Sequence, residues 1–212
     1  PLWTAAAIIR AWRPDVVVGT GGYLTLPAAL AGFARGVPVV LHESNVVLGL
    51  ANSLSRPFCA ALALGLPSAE GTPGVLTGTP LRPELLERGE ASAARRALGL
   101  DPALPTVLVV GGSQGARALN RLAPPALAAA AEELGPLQAL HLAGKDAEGE
   151  VRNAYAAASV PAVVLSYLDQ MERAFAAADI AVCRAGATTL AELNAQRLPA
   201  LLIPLPHATG GH

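Results

Sequence analysis

The chain has 212 residues, of which 52% are hydrophobic and 15% charged, so it carries ample material for a buried core. A formal charge of −1 lacks the basic surplus of a general nucleic-acid binder, and no nucleic acid is expected as a partner. Only two cysteines occur, Cys59 and Cys183, without partners at metal-ligand spacing. A disulfide framework or zinc site is therefore not expected, and a reducing compartment fits.

No uninterrupted apolar run reaches the roughly 18 residues of a membrane span, and no signal-peptide pattern is visible. Pro1-Leu2-Trp3-Thr4 does not read as a natural start, and the sequence stops on Gly210-Gly211-His212 directly after a loop. Both ends are expected to be missing.

The pattern along the chain is strand, glycine turn, helix, repeated. Strands are expected at 14–19, 37–43, 60–64 and, more weakly, 75–77, with helices at 27–35 and 48–56 between them. Leu2, Trp3, Ile8, Ile9 and Trp12, with Arg10, Arg13 and Phe33, read equally as a basic-rimmed apolar membrane patch or a core-facing helix. Two prolines in Thr79-Pro80-Leu81-Arg82-Pro83 mark a domain boundary, giving domains 1–80 and 81–212. A second series follows, with strands at 107–110, 139–142, 162–165, 180–183 and 200–203. Helices are expected at 117–134, 148–158, 170–178 and 188–196. Pro124 and Pro125 are expected to kink or divide the first of these. Alternation at this spacing points to parallel sheets covered by helices on both faces.

Ligands of such sheets sit beyond the carboxyl ends of the strands, which singles out four loops. In Gly19-Thr20-Gly21-Gly22-Tyr23 the glycines permit positive φ and close approach of a ligand; a plain tight turn is the other reading. His42-Glu43-Ser44-Asn45 gathers a titratable imidazole, a carboxylate and an amide, which suit a general base, a sugar ligand or a structural pair. Gly111-Gly112-Ser113-Gln114-Gly115-Ala116 would expose backbone N–H groups at a helix start, where an anion is favoured. It lacks the Gly-Lys-Ser/Thr of a nucleotide-hydrolase loop and the glycine spacing of a dinucleotide fingerprint. In Cys183-Arg184-Ala185-Gly186-Ala187-Thr188-Thr189-Leu190-Ala191-Glu192 a helix start could hold phosphate. Glu192 could there accept hydrogen bonds from a ribose diol, or instead close a capping box with Thr189.

Taken together and in this order, these loops with Thr79-Pro80-Leu81-Arg82 resemble the MurG-type peptidoglycan N-acetylglucosaminyltransferases, family 28 of the glycosyltransferases. The resemblance runs over essentially the whole chain. It implies an α/β fold of GT-B type, two Rossmann-like parallel-sheet domains facing a cleft, both truncated here. It implies inverting transfer of GlcNAc from UDP-GlcNAc to the MurNAc C4 hydroxyl of polyprenyl-linked lipid I, making lipid II for peptidoglycan synthesis. The enzyme would be peripheral on the cytoplasmic side of the plasma membrane, with no cofactor and no bound metal.

By the same resemblance, Asn45, Arg82, Ser113, Leu168, Ala187, Thr188, Thr189 and Glu192 are the donor-binding residues. His42 and Glu43 are the catalytic candidates, while Gly21, Gly22, Tyr23 and Asn120 line the acceptor cleft. Ser44 stands where the family usually carries Gln. The family's N-terminal glycine loop with its histidine, and the glutamines after the His207 loop, have no counterpart. Another UDP-sugar enzyme of the fold, such as a 2-epimerase or a glycolipid glucosyltransferase, and a UDP-binding fragment without turnover, are the alternatives.

Overall fold

The computed structural model describes residues 1–111 and 116–204. The chain forms two compact units that divide between Pro80 and Leu81.

The first unit holds a four-stranded parallel sheet in the order β1 (Val17–Gly19), β2 (Val39–Glu43), β3 (Ala61–Leu64), β4 (Val75–Leu76). Its helices are α1 (Leu2–Trp12), α2 (Thr25–Phe33) and α3 (Leu50–Ser55). Val39, Leu41, Leu62 and Leu64 form the core with Ala29 of α2. The close approach of α2 to the sheet needs Gly32, because a Cβ there would meet Val39 and Val17 methyls at 3.1 and 3.2 Å. Of α1, only Ile9 is buried, whereas Leu2, Trp3, Ile8 and Trp12 are exposed. The helix thus turns one residue inward and leaves the remainder of its apolar set outside.

The second unit holds β5 (Thr106–Val110), β6 (Gln138–Leu142), β7 (Ala162–Leu165), β8 (Ile180–Cys183) and β9 (Ala200–Leu202). They form one parallel sheet in the order β7-β6-β5-β8-β9. The order reverses direction between β5 and β8, which places a ligand crevice at their carboxyl ends. Strand alternation sends Leu108, Val110, Leu140 and Leu142 to one face, with Phe175 of α7 (Met171–Ala177) and Leu193 of α8 (Ala187–Ala195). Val107, Val109 and Ala139 go to the other, with Leu119 of α5 (Arg117–Leu134) and Val151 of α6 (Glu148–Ala157). Burial on both faces explains why these strands read as continuous apolar runs.

Two differences from the sequence reading stand out. α5 runs unbroken through Pro124 and Pro125, where a kink or division was expected. Each proline removes one N–H from the helical ladder, but Ala123, Pro124 and Leu127 are buried, and packing on the sheet holds the helix together. A further helix, α4 (Ala91–Ala97), lies in a segment to which the sequence reading assigned no element. Glu90 caps it by accepting from the N–H groups of Ser92 and Ala93. Arg95 then fastens it, donating to the Ala177 and Pro102 carbonyls and pairing with Asp179 at 2.6 Å.

Candidate functional site

In the second unit a cavity of about 350 Å³ opens at the carboxyl end of the sheet. Val110 and Leu142 form its floor, Ser166, Tyr167 and Leu168 one side, and Met171 and Phe175 of α7 continue the apolar wall. Thr188, Thr189 and Glu192 of α8 supply the polar side. Four residues singled out from sequence therefore meet: Leu168, Thr188, Thr189 and Glu192. The apolar wall was not singled out, because pocket-lining and core residues have the same composition. For Val110 and Leu142 the position at a strand end was the available signal.

α8 begins at Ala187 with Gly186 as its cap, and no side chain caps its first turn. Thr189 is thus already inside the helix, which removes the geometry of a Thr189–Glu192 capping box. Among the described residues, no side chain meets the first-turn N–H groups of Ala187, Thr188 and Thr189, which form the positive end of the helix. Glu192 is half-buried and accepts no hydrogen bond among the described residues. Burial raises its pKa above the ordinary carboxylate value, partly opposed by the Arg82 guanidinium. Arg82 also donates to the Asp169 carbonyl at 3.3 Å, at the end of the loop that walls the cavity. The arrangement offers an apolar slot, a hydrogen-bond-accepting carboxylate and an anion-favouring helix start. Ser113 lies outside the described residues.

Asn120 lines a different cavity, of about 660 Å³, between the start of α5 and the β6–α6 turn, with Arg117, Arg121 and Lys145. Its side-chain N–H donates to the Ala143 carbonyl at 2.8 Å, and its Oδ1 meets His141 Nε2 at 3.1 Å.

In the first unit the loop after β2 is tightly organised. Glu43 is 4% exposed and accepts four hydrogen bonds. They come from the N–H groups of Asn45 and Gly49 and the amides of Asn45 and Asn52, all at 2.9–3.0 Å. Burial raises its pKa, but these donors outweigh burial and leave it lowered. Glu43 is therefore a saturated carboxylate that braces Asn45. His42 Nε2 lies 3.0 Å from the Gly78 carbonyl, so Nε2 carries the proton. Nδ1 keeps its lone pair, with only Ser44 Oγ at 3.5 Å. Asn52, buried and donating to both the His42 carbonyl and Glu43, was missed from sequence; it reads there as one polar residue of a helix. Gly21 and Gly22 both have positive φ, 91° and 81°, so the loop before α2 requires glycine. Tyr23 is fully exposed.

Residues 106–212 match the glycosyltransferase family 28 C-terminal domain, and residues 2–64 match the family's N-terminal domain. The chain belongs to glycosyltransferase family 28. Within family 28 it is 44% identical over 209 residues to a UDP-N-acetylglucosamine–N-acetylmuramyl-(pentapeptide) pyrophosphoryl-undecaprenol N-acetylglucosamine transferase of Nocardioides sp.. That match covers 96% of this chain and 56% of the relative, so the chain spans a little over half the length of the curated protein it matches. The crystal structure of Acinetobacter baumannii MurG superposes with a TM-score of 0.78 at 30% identity, over all of this chain and 58% of that one. A UDP-GlcNAc 2-epimerase from Neisseria meningitidis shares the fold at a TM-score of 0.67 and 13% identity, over 95% of this chain and 62% of that one. The fold of this family 28 chain is thus α/β of GT-B type, with one Rossmann-like parallel sheet in each unit.

Proposed function

We propose that this chain binds UDP-GlcNAc through its second unit and belongs to an enzyme that transfers GlcNAc to lipid I, forming lipid II. The observation that carries this reading is the Glu192 carboxylate, which accepts no hydrogen bond among the described residues, beside the start of α8, which no described side chain caps, at the mouth of an apolar slot. The slot suits uracil, Glu192 a ribose diol, and the α8 N–H groups with Arg82 a diphosphate. A donor-binding role for Ser113 rests on the family resemblance.

In the transfer, the MurNAc C4 oxygen attacks the anomeric carbon of GlcNAc as the bond from that carbon to the diphosphate oxygen breaks. UDP leaves with the electron pair, and the hydroxyl proton passes to a base. Fixed N–H groups at the leaving diphosphate favour that charge separation. Of the His42–Glu43 pair, His42 has the free lone pair at Nδ1, and Glu43 holds Asn45 in place for the donor sugar. Gly21, Gly22, Tyr23 and Asn120 are proposed on the acceptor side. Among the described residues no helix is long and apolar enough to cross a membrane. We assign peripheral attachment, on the cytoplasmic face where lipid I is presented, to Trp3, Trp12 and their neighbours on α1.

Calorimetric titration of the chain with UDP and UDP-GlcNAc tests the reading. Saturable binding of both, weakened by Glu192→Ala, supports it; a chain that binds neither removes it. Turnover with lipid I, set beside that titration, separates a transferase from a binding fragment.

A further inference from the structure

Behind the donor pocket, on the opposite face of the second sheet, runs a chain of three polar side chains, two of them buried and the third, Asn120, half-buried. His141 is 0% exposed and Tyr155 is 1% exposed. Tyr155 Oη lies 3.0 Å from His141 Nδ1, and His141 Nε2 lies 3.1 Å from Asn120 Oδ1. Asn120 Nδ2 reaches the Ala143 carbonyl at 2.8 Å.

With a neutral imidazole, these contacts permit only one assignment of protons. A backbone carbonyl can only accept, so Asn120 must present its NH₂ to Ala143 and its oxygen to His141. That oxygen needs a donor, so His141 carries its proton on Nε2. Nδ1 is then an acceptor and takes the Tyr155 hydroxyl proton. The result is a one-way chain from Tyr155 through His141 and Asn120 to Ala143, satisfied at every link. Burial without a charged partner holds His141 neutral, with its pKa lowered to about 4.

The chain joins three elements: α6 through Tyr155, β6 through His141 and α5 through Asn120. Its end point, Ala143, is the first residue after β6, and its N–H is held by the Leu165 carbonyl at 2.8 Å. Between His141 and Ala143 stands Leu142, which alternation turns to the other face, into the floor of the donor cavity. Both neighbours of that floor residue are thus pinned from behind.

We infer that Tyr155, His141 and Asn120 form a positioning relay that fixes the carboxyl end of β6 and so sets the donor-pocket floor at Leu142 without touching the donor nucleotide. The inference rests on the donor-site reading above. A hydrophobic trio of similar volume would fill the same space, but would leave the Ala143 carbonyl and the α5–β6 spacing unfixed.

Two measurements test it. In the unmodified chain, imidazole nitrogen NMR should show His141 neutral at pH 6, protonated at Nε2 and slow to exchange. A proton on Nδ1, or rapid exchange, overturns the relay, whatever the chain does with UDP. In the second, UDP affinity is titrated for His141→Leu, His141→Gln and Val151→Ala. Val151 is buried on the same face and outside the relay, so its variant reports the effect of lost stability alone. His141→Leu should weaken UDP binding about 5- to 30-fold. His141→Gln, which can still donate to Asn120, should recover most of that, and Val151→Ala should leave affinity unchanged. Equal affinities for the Leu and Gln variants, or an equal loss in Val151→Ala, would reduce the trio to core packing. Failure of the unmodified chain to bind UDP would count against the donor-site reading, with the NMR result standing apart.

Discussion

Asn45 meets the same oxygen of Glu43 twice, through its backbone N–H at 3.0 Å and its side-chain amide at 2.9 Å. The second carboxylate oxygen takes the Gly49 N–H and the Asn52 amide. A carboxylate so filled is a poor proton acceptor and a good brace. Glu43→Gln keeps one acceptor oxygen and brings an NH₂ group against donors, so it should destabilise the first unit by about 2–3 kcal/mol, the scale of hydrogen bonds to a charged group. Because the folded pKa is lowered, the brace contributes fully above the unfolded value of 4.5 and is lost as pH falls through the folded value. Chemical denaturation of the wild type and variant at pH 7 and pH 3 checks both statements: the gap between them should shrink at the lower pH.

How α1 presents its apolar residues leads to a prediction about membranes. Trp3 and Trp12 are 88% and 82% exposed, while Ile9 alone turns inward. Phe33, on α2, is also exposed and stacks edge-on against Phe58 at 5.5 Å. Arg10 and Arg13 flank this surface. Exposed tryptophans beside arginines suit the headgroup layer of an anionic bilayer. In flotation with vesicles of phosphatidylglycerol and phosphatidylethanolamine, the chain should rise with the lipid. Trp3→Ser with Trp12→Ser should remain at the bottom while retaining UDP binding. Equal flotation of the two would remove the patch.

The parallel sheets were legible because strands buried on both faces must be written as runs of Val, Leu, Ile and Ala between glycine turns. α4 was not, because its seven residues show no amphipathic repeat and depend on Arg95 reaching Ala177 and Asp179, both distant in sequence. The division of α5 did not occur for the complementary reason: local chemistry at Pro124 and Pro125 disfavours a helix, and burial against the sheet overrides it. Within the cavity, the positions of Thr188 and Glu192 at a strand-to-helix turn were readable. That Val110, Leu142, Met171 and Phe175 line a cavity was not, since an apolar residue signals burial without saying against what. His141 was hidden for the same reason, as one letter inside a strand.

Glu192 gives a prediction in which stability and binding move in opposite directions. Burial raises its folded pKa, so the folded state holds its proton more tightly than the unfolded state. Stability therefore declines as pH rises through the window between the unfolded and the higher folded value, and the charged form carries a cost at neutral pH. Glu192→Gln removes that cost and should raise the Tm slightly at pH 7. It also removes the ionised acceptor proposed for the ribose diol and should weaken UDP binding by about 1.5–3 kcal/mol, roughly 10- to 150-fold. Wild-type affinity should itself fall as acid protonates Glu192, starting at a higher pH than for an ordinary glutamate. Thermal scans with and without UDP measure both effects. A variant that loses stability yet keeps its affinity would contradict the assignment.

His141 leads to a prediction about the acid stability of the second unit. Its pKa is about 4 in the folded chain, against about 6.5 for an exposed imidazole. Between those values the unfolded chain takes up a proton that the folded one refuses, so stability falls as pH is lowered through that window and is unaffected above it. A difference of that size corresponds to at most about 3 kcal/mol. Tyr155 is its only titratable partner among the described hydrogen bonds, and burial raises the phenol pKa, so Tyr155 stays neutral throughout the window. His141→Gln lacks the titrating group and should flatten the pH dependence of the unfolding midpoint between pH 6.5 and 4. Denaturant titrations of both proteins across that range, monitored at the second unit, provide the comparison. Parallel curves for the two would show that the acid sensitivity arises elsewhere.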